Sequence, residues 1–72
     1  ARLNKITACE SNFNPNAYNP KDTDGRPKFG LLQFDKNTFT GEDIWDWHEQ
    51  LEIGTQMMAK GQWNKWPTCS KI

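Results

Sequence analysis

Cys9-Glu10-Ser11-Asn12-Phe13-Asn14-Pro15 and Gly30-Leu31-Leu32-Gln33-Phe34 are the two stretches that decide how this chain folds. The first closes a segment in which Leu3, Ile6 and then Cys9 or Glu10 recur at helical spacing, so a helix is predicted over residues 2–11. Asn14-Pro15 is expected to end it, because the residue before a proline is pushed out of helical geometry. The second stretch is a glycine that opens an apolar run holding one amide, and it reads as a return passage through the core. Between the two the chain is rich in Asn, Asp, Pro and Gly, and Asp24-Gly25 is the kind of pair that closes a tight hairpin. A small, irregular β-hairpin is therefore predicted between Tyr18 and Phe29.

Further along, residues 35–39 form a short helix at most, and Gly41 separates them from the next element. Asp46-Trp47-His48-Glu49 fits a capping box, with an acid as N-cap and Glu at the third helical position. Trp47, Leu51, Gly54 and Met58 are predicted to give that helix its apolar face, flanked by Ile53 and Met57. Lys60-Gly61 supplies a basic last turn and a left-handed cap. His48 falls on the exposed start of the helix. The tail, residues 62–72, carries Trp63, Trp66 and Cys69 and is expected to fold back on the first helix. The fold class that results is α+β over residues 1–72, one domain, mostly helical with a small β-hairpin.

A chain of 72 residues allows one domain, and a core of that size supplies about 3–5 kcal/mol, so a covalent staple is expected. Only 35% of the residues are hydrophobic, so four Trp, four Phe and one Tyr must do much of the burying. The formal charge is zero. That argues against nucleic acid as a partner, which needs a basic stripe, and gives no long-range steering toward an acidic polymer. No apolar run reaches the roughly 18 residues of a membrane span, and no stretch has the charged-then-apolar pattern of a secretory signal. The chain opens directly in helix-like sequence, which fits a mature product and equally a domain of a longer, including phage-encoded, protein. Cys9 and Cys69 are the two cysteines. A bond between them closes a loop of about sixty residues and stabilises the fold by about 4 kcal/mol; two free buried thiols are the alternative. With His48 they do not make a zinc site, which wants four ligands at tighter spacing. A disulfide implies an oxidising compartment.

Glu10 is the candidate for chemistry. It lies beside Cys9 near the helix C-terminus, where partial burial and the negative helix end both raise a carboxyl pKa. A carboxyl that stays protonated near neutral pH is what glycosidic cleavage requires of its acid; the plain alternative is a surface Glu in a last turn. Gln33 is an amide in an apolar run and must find partners, either lining a site or tying the hairpin to the helix. Gly30 lets backbone approach a ligand or a packed neighbour. Tyr18, Trp45, Trp63 and Trp66 offer flat rings for stacking on sugars, with core or rim packing as the alternative.

Glu10-Ser11, Phe13-Asn14-Pro15, Ala17 and Gly30-Leu31-Leu32-Gln33 resemble the first two motifs of the soluble lytic transglycosylases. Residues 10–34 are also similar to the active-site segment of chicken-type lysozymes, including Glu10-Ser11-Asn12-Phe13-Asn14 and Thr23-Asp24-Gly25. The resemblance covers roughly a third of the chain. It implies a minimal lysozyme-like domain acting on peptidoglycan glycan strands, at the bond between N-acetylmuramic acid and N-acetylglucosamine. Glu10 would be the general acid/base and Ser11 would hold its carboxylate. Gln33 would lie beside the sugar at the cleavage point, with Gly30 and Tyr18 also binding substrate. No metal or cofactor is implied. The protein would act as a monomer that is secreted, periplasmic or cell-wall associated.

Two departures from these families matter. Chicken-type lysozymes carry an Asp two residues before the glycine of their Gly-x-Leu-Gln run, and here that position is Lys28. Lys21-Asp22-Thr23-Asp24-Gly25 resembles the hairpin of phage-type lysozymes, whose first Asp is catalytic, which makes Asp22 the candidate second carboxylate; an Asp that merely forms a turn is the alternative. The third transglycosylase motif, Ala-Tyr-Asn, has no counterpart after residue 34. With one carboxylate, Glu10 would protonate the leaving oxygen and then take the proton of the muramic acid 6-hydroxyl, closing a 1,6-anhydro ring. The later helices of those enzymes have no room in this chain, so a shallow cleft is expected. A non-catalytic glycan-binding module and a bare structural or assembly domain, such as a piece of a phage particle, are the competing classes.

Overall fold

The structure, a computed structural model, describes residues 2–22 and 25–71. Asp24, half of the predicted hairpin pair, lies outside them. Helix α1 spans Arg2–Ser11. Ten residues are too few for a stable isolated helix, so α1 depends on what Ile6 and Thr7, its buried positions, pack against. Its bounds are the predicted ones; the helix stops at Ser11, three residues short of Asn14-Pro15. Asn12 makes the last helical bond, to Ala8 O at 2.9 Å, and Asn12 and Phe13 then take left-handed backbone angles of φ 54° and 62°. Asn tolerates that region; a bulky Phe there costs about 1 kcal/mol or more.

Strands β1 (Tyr18–Asn19) and β2 (Lys28–Phe29) pair antiparallel, Tyr18 opposite Phe29 and Asn19 opposite Lys28. This is the predicted hairpin, in its shortest form. Successive residues of a strand face opposite ways, so Tyr18 and Phe29 point to one side and Asn19 and Lys28 to the other. Residues 30–33 make a tight buried turn, closed by paired bonds between Phe29 and Phe34 at 2.9 and 3.0 Å. Residues 35–39 make one helical turn, with Thr38 and Phe39 N–H both bonded to Asp35 O.

Helix α2 spans Trp47–Ala59. Asp46 caps it by accepting from His48 N at 2.9 Å. The other half of the predicted capping box does not form: Glu49 Oε1 accepts from Glu42 N at 2.7 Å and so fastens the preceding loop. The apolar face also differs from the prediction. Gln50, Ile53 and Gly54 are buried, whereas Trp47 is 48% exposed and stacks on His48. Gly54 is buried as predicted and Leu51, Ile53, Met57 and Met58 pack on the core, so the departure is confined to Trp47, which turns outward, and Gln50, which turns inward. Its C-terminus follows the expectation: Gly61 is left-handed at φ 75°, and Gly61 and Gln62 N–H close back on Met58 and Met57 O at 3.0 Å.

The core is Ile6, Leu31, Leu32, Phe34, Ile53, Trp66 and Cys69, ringed by half-buried Leu3, Phe39, Ile44, Leu51, Met57, Met58 and Trp63. Gly54 has no side chain because Leu32 occupies that space. The tail crosses in two 3-10 turns, Trp63–Lys65 and Cys69–Lys71. A Cys9–Cys69 disulfide, with Cα atoms 5.8 Å apart, joins the second turn to α1. The chain is thus a small α+β fold with two helices, a two-stranded sheet and one disulfide among the described residues. No helix among them is long and apolar enough to cross a membrane.

Candidate active site

Glu10 lies one turn after Ile6 and Thr7 on the same stripe of α1. Its position on the helix therefore half-buries it. It lines an open pocket of about 400 Å³, within the range of small-molecule sites. The hairpin contributes Asp22, Arg26 and Lys28 to this pocket, the buried turn contributes Gln33, the turn that follows contributes Asp35, and the tail contributes Asn64, Lys65 and Cys69. Burial is the largest influence on the Glu10 carboxyl and holds its pKa above the ordinary 4.5. Lys65 opposes the shift, Asp22 adds to it, and Lys28 opposes it again.

Asp22 is brought to the same pocket. Asn19 Nδ2 donates to its carboxylate at 3.4 Å and Lys28 Nζ lies 4.0 Å away. The Lys28 side chain is only 8% exposed, so a lysine reaches into the wall where the lysozyme resemblance would place a carboxylate. Asp35, which sequence reasoning passed over, is buried in this wall. Burial alone would raise its pKa. The Thr38 hydroxyl, the Arg26 guanidinium at 3.0 Å, the Thr38 N–H and Lys28 outweigh that and hold it below the ordinary 3.8.

The remaining sequence candidates do not gather at one place. Gln33 lines the pocket and is also a tie: its Nε2 donates to Gly30 O at 2.8 Å and reaches Ala17 O at 3.4 Å. Its backbone is left-handed, φ 53°, a strained setting of the kind that collects at functional sites. Ser11 is not directed at Glu10; its hydroxyl donates to Leu31 O at 2.8 Å and ties α1 to the buried turn. Gly30 does not face the pocket; a β-carbon there would lie 2.5 Å from Gln50 Cδ, so the glycine serves packing. Tyr18 sits on the opposite face of the hairpin, with its ring 5.2 Å from that of Phe29. Trp66 is fully buried and belongs to the core, and Trp63 packs under the Arg2 guanidinium.

What sequence reasoning missed is the set of side chains that hold residues 30–33. A buried turn must satisfy its backbone groups from somewhere. Leu31 N donates to Gln50 Oε1 at 3.0 Å, Leu31 O accepts from Ser11, Leu32 O from Trp66 Nε1 at 2.8 Å, and Gln33 O from Lys65 Nζ at 3.1 Å. Gln50, wholly buried, also donates to Ile44 O at 2.8 Å and Pro15 O at 3.3 Å. An amide three residues before Ile53 on a helix's inner stripe was the available signal. Both helices and the tail therefore converge on the turn that carries Gln33. Comparison with protein-family models, curated proteins and solved structures finds no match to this chain.

Proposed function

We propose that this chain is a lysozyme-like enzyme that cleaves peptidoglycan between N-acetylmuramic acid and N-acetylglucosamine, with Glu10 as general acid/base. The observation that carries the reading is the Glu10 carboxyl itself: half-buried, raised in pKa by that burial, and set in a pocket lined by Gln33. Its protonated form donates to the leaving glycosidic oxygen. The carboxylate left behind has Lys65 and Lys28 near enough to favour the charge, which suits it to take a proton in the second half of the reaction. That proton comes from the muramic acid 6-hydroxyl in a transglycosylase, or from water in a hydrolase. Asp22, engaged by Lys28 and Asn19, helps set the field around Glu10 and is the second carboxylate if the reaction is hydrolytic. The disulfide fits an extracytoplasmic site of action, in the periplasm, at the cell wall or outside the cell.

Lys28 in the pocket wall favours one competing reading, a glycan-binding module without catalysis. Incubation with purified walls separates the two. Release of soluble muropeptides, lost by ~10²–10⁴-fold in Glu10→Gln, is the expected result. Walls bound but not cut would leave the module, and full activity in Glu10→Gln would remove the mechanism. Mass analysis of the released ends assigns the class: anhydro ends mean transglycosylase and reducing ends mean hydrolase.

A further inference from the structure

The back of the hairpin holds a second recess, of about 280 Å³, beside the exposed ring of Tyr18 and floored by Phe29. Tyr18 and Phe29 line it, and a third ring, Trp45, packs against both from outside it. Tyr18 lies 5.2 Å from Phe29 and 6.4 Å from Trp45, and Trp45 stands edge-on to Phe29 at 5.2 Å. Tyr18 and Trp45 are nonetheless 54% and 40% exposed. In so small a protein an exposed group of mutually braced aromatic rings invites a partner. Phe29 anchors the group from the core side, so it forms a rigid platform. The rest of the rim is polar and planar, with Arg26, Asp35 and Asn37, and the Lys36 ammonium lies 5.8 Å over the Phe29 ring. A flat apolar face beside carboxylate, amide and guanidinium groups matches a pyranose, which presents C–H bonds on its faces and hydroxyls around its edge.

The decisive feature is that Arg26 and Asp35 line this recess and the Glu10 pocket alike. Their ion pair, 3.0 Å long, is the ridge between the two. One ligand that crosses that ridge occupies both. We propose that the Tyr18–Phe29 recess, with Trp45 bracing both rings from beside it, is a second sugar-binding site that takes a ring of the same glycan strand whose neighbouring sugars lie in the Glu10 pocket. The recess is about the size for one ring, just under the ~300 Å³ at which ligand pockets begin. This rests on the glycan reading above and adds to it that the substrate is a strand longer than a disaccharide.

The test uses Glu10→Gln protein, so that the strand stays uncut, and two probes: a peptide-free wall glycan as hexasaccharide and as disaccharide. Amide and indole NMR signals report where each binds. The hexasaccharide is expected to shift the Trp45 indole and the Tyr18 and Asn37 amides together with Gln33, whereas the disaccharide shifts Gln33 alone. Tyr18→Ala in the same background should weaken the hexasaccharide by roughly three- to ten-fold, the range of one aromatic contact, and Tyr18→Phe should restore it. Hexasaccharide shifts confined to the Glu10 pocket, or equal affinity with and without Tyr18, would overturn the second site and leave the glycan reading standing. Shifts at Tyr18 and Trp45 with none around Glu10 would support the recess as a sugar site and sink the catalytic reading. Silence at both sites would remove both.

Discussion

Gly30→Ala is expected to be among the most damaging single-methyl changes in this protein. Two terms set its size. Gly30 has φ 82°, and a left-handed alanine costs about 1–2 kcal/mol. The new β-carbon would also sit 2.5 Å from Gln50 Cδ and 2.7 Å from Oε1. A surface glutamine would swing aside at little cost, but Gln50 is wholly buried and bonded to Leu31 N and Ile44 O. Moving it strands at least one of those groups, at ~1–3 kcal/mol each. The sum with one stranded group is about 2–5 kcal/mol, comparable with everything a core of this size supplies. The assay is urea denaturation, with sulfate added to keep the variants folded at zero urea. A double-mutant cycle isolates the steric part: in a Gln50→Ala background the cost of Gly30→Ala should fall to the left-handed term alone. A cost below ~1 kcal/mol in the parent, or the same cost in both backgrounds, would refute the claim that the glycine exists to admit the amide.

Three further expectations follow from the site and the staple. Glu10 has a folded pKa above its ordinary 4.5, so its folded form holds a proton more tightly than the unfolded chain. That contribution is complete below 4.5 and lost as pH rises through the folded value, so Glu10→Gln should melt higher than the parent at neutral pH and level with it below 4.5; no difference at neutral pH would contradict the burial argument. Asp22→Asn should cost wall cleavage little, because the Asp22 carboxylate is already engaged by Lys28 and Asn19; a loss as deep as that of Glu10→Gln, read in the same release assay, would make Asp22 a catalytic partner. Reduction of Cys9–Cys69 should cost about 4 kcal/mol in the chain-entropy model and lower the melting temperature steeply; an unchanged melt with reductant would show that the aromatic core holds the fold unaided.

The legible parts of this chain were those governed by local rules. Leu3 and Ile6 marked α1, the Asn-, Pro- and Gly-rich stretch marked a hairpin bounded by Tyr18 and Phe29, and Gly61 marked the end of α2. The two cysteines met as expected. What was not legible depended on groups far apart in sequence. Nothing near residue 50 announces that an amide there will bond Leu31 N, so the inner face of α2 was read with Trp47 in it and Gln50 left out. Ser11 looked like a neighbour of Glu10 because it is one in sequence, yet it reaches Leu31 instead. Tyr18 was read as a ring for stacking on substrate, and nothing local says which side of a two-residue strand it takes; pairing with Phe29 puts it on the face away from Glu10. Asp35 was hidden as the first residue of a turn, and only folding sets it against Arg26.

The covalent link has a topological consequence. Its sequence separation is 60, so the backbone from Cys9 to Cys69 is a closed ring. A protease that nicks the hairpin near its exposed Gly25 cuts the ring once and releases nothing. The two pieces would travel as one band on a gel until reductant is added. Arg2 and Ser70 already touch, the guanidinium donating to the carbonyl at 2.9 Å. A short peptide joining Arg2 to Ser70 would therefore let the stretch between them be rewired to begin in the hairpin, with Glu10 still on an unbroken helix.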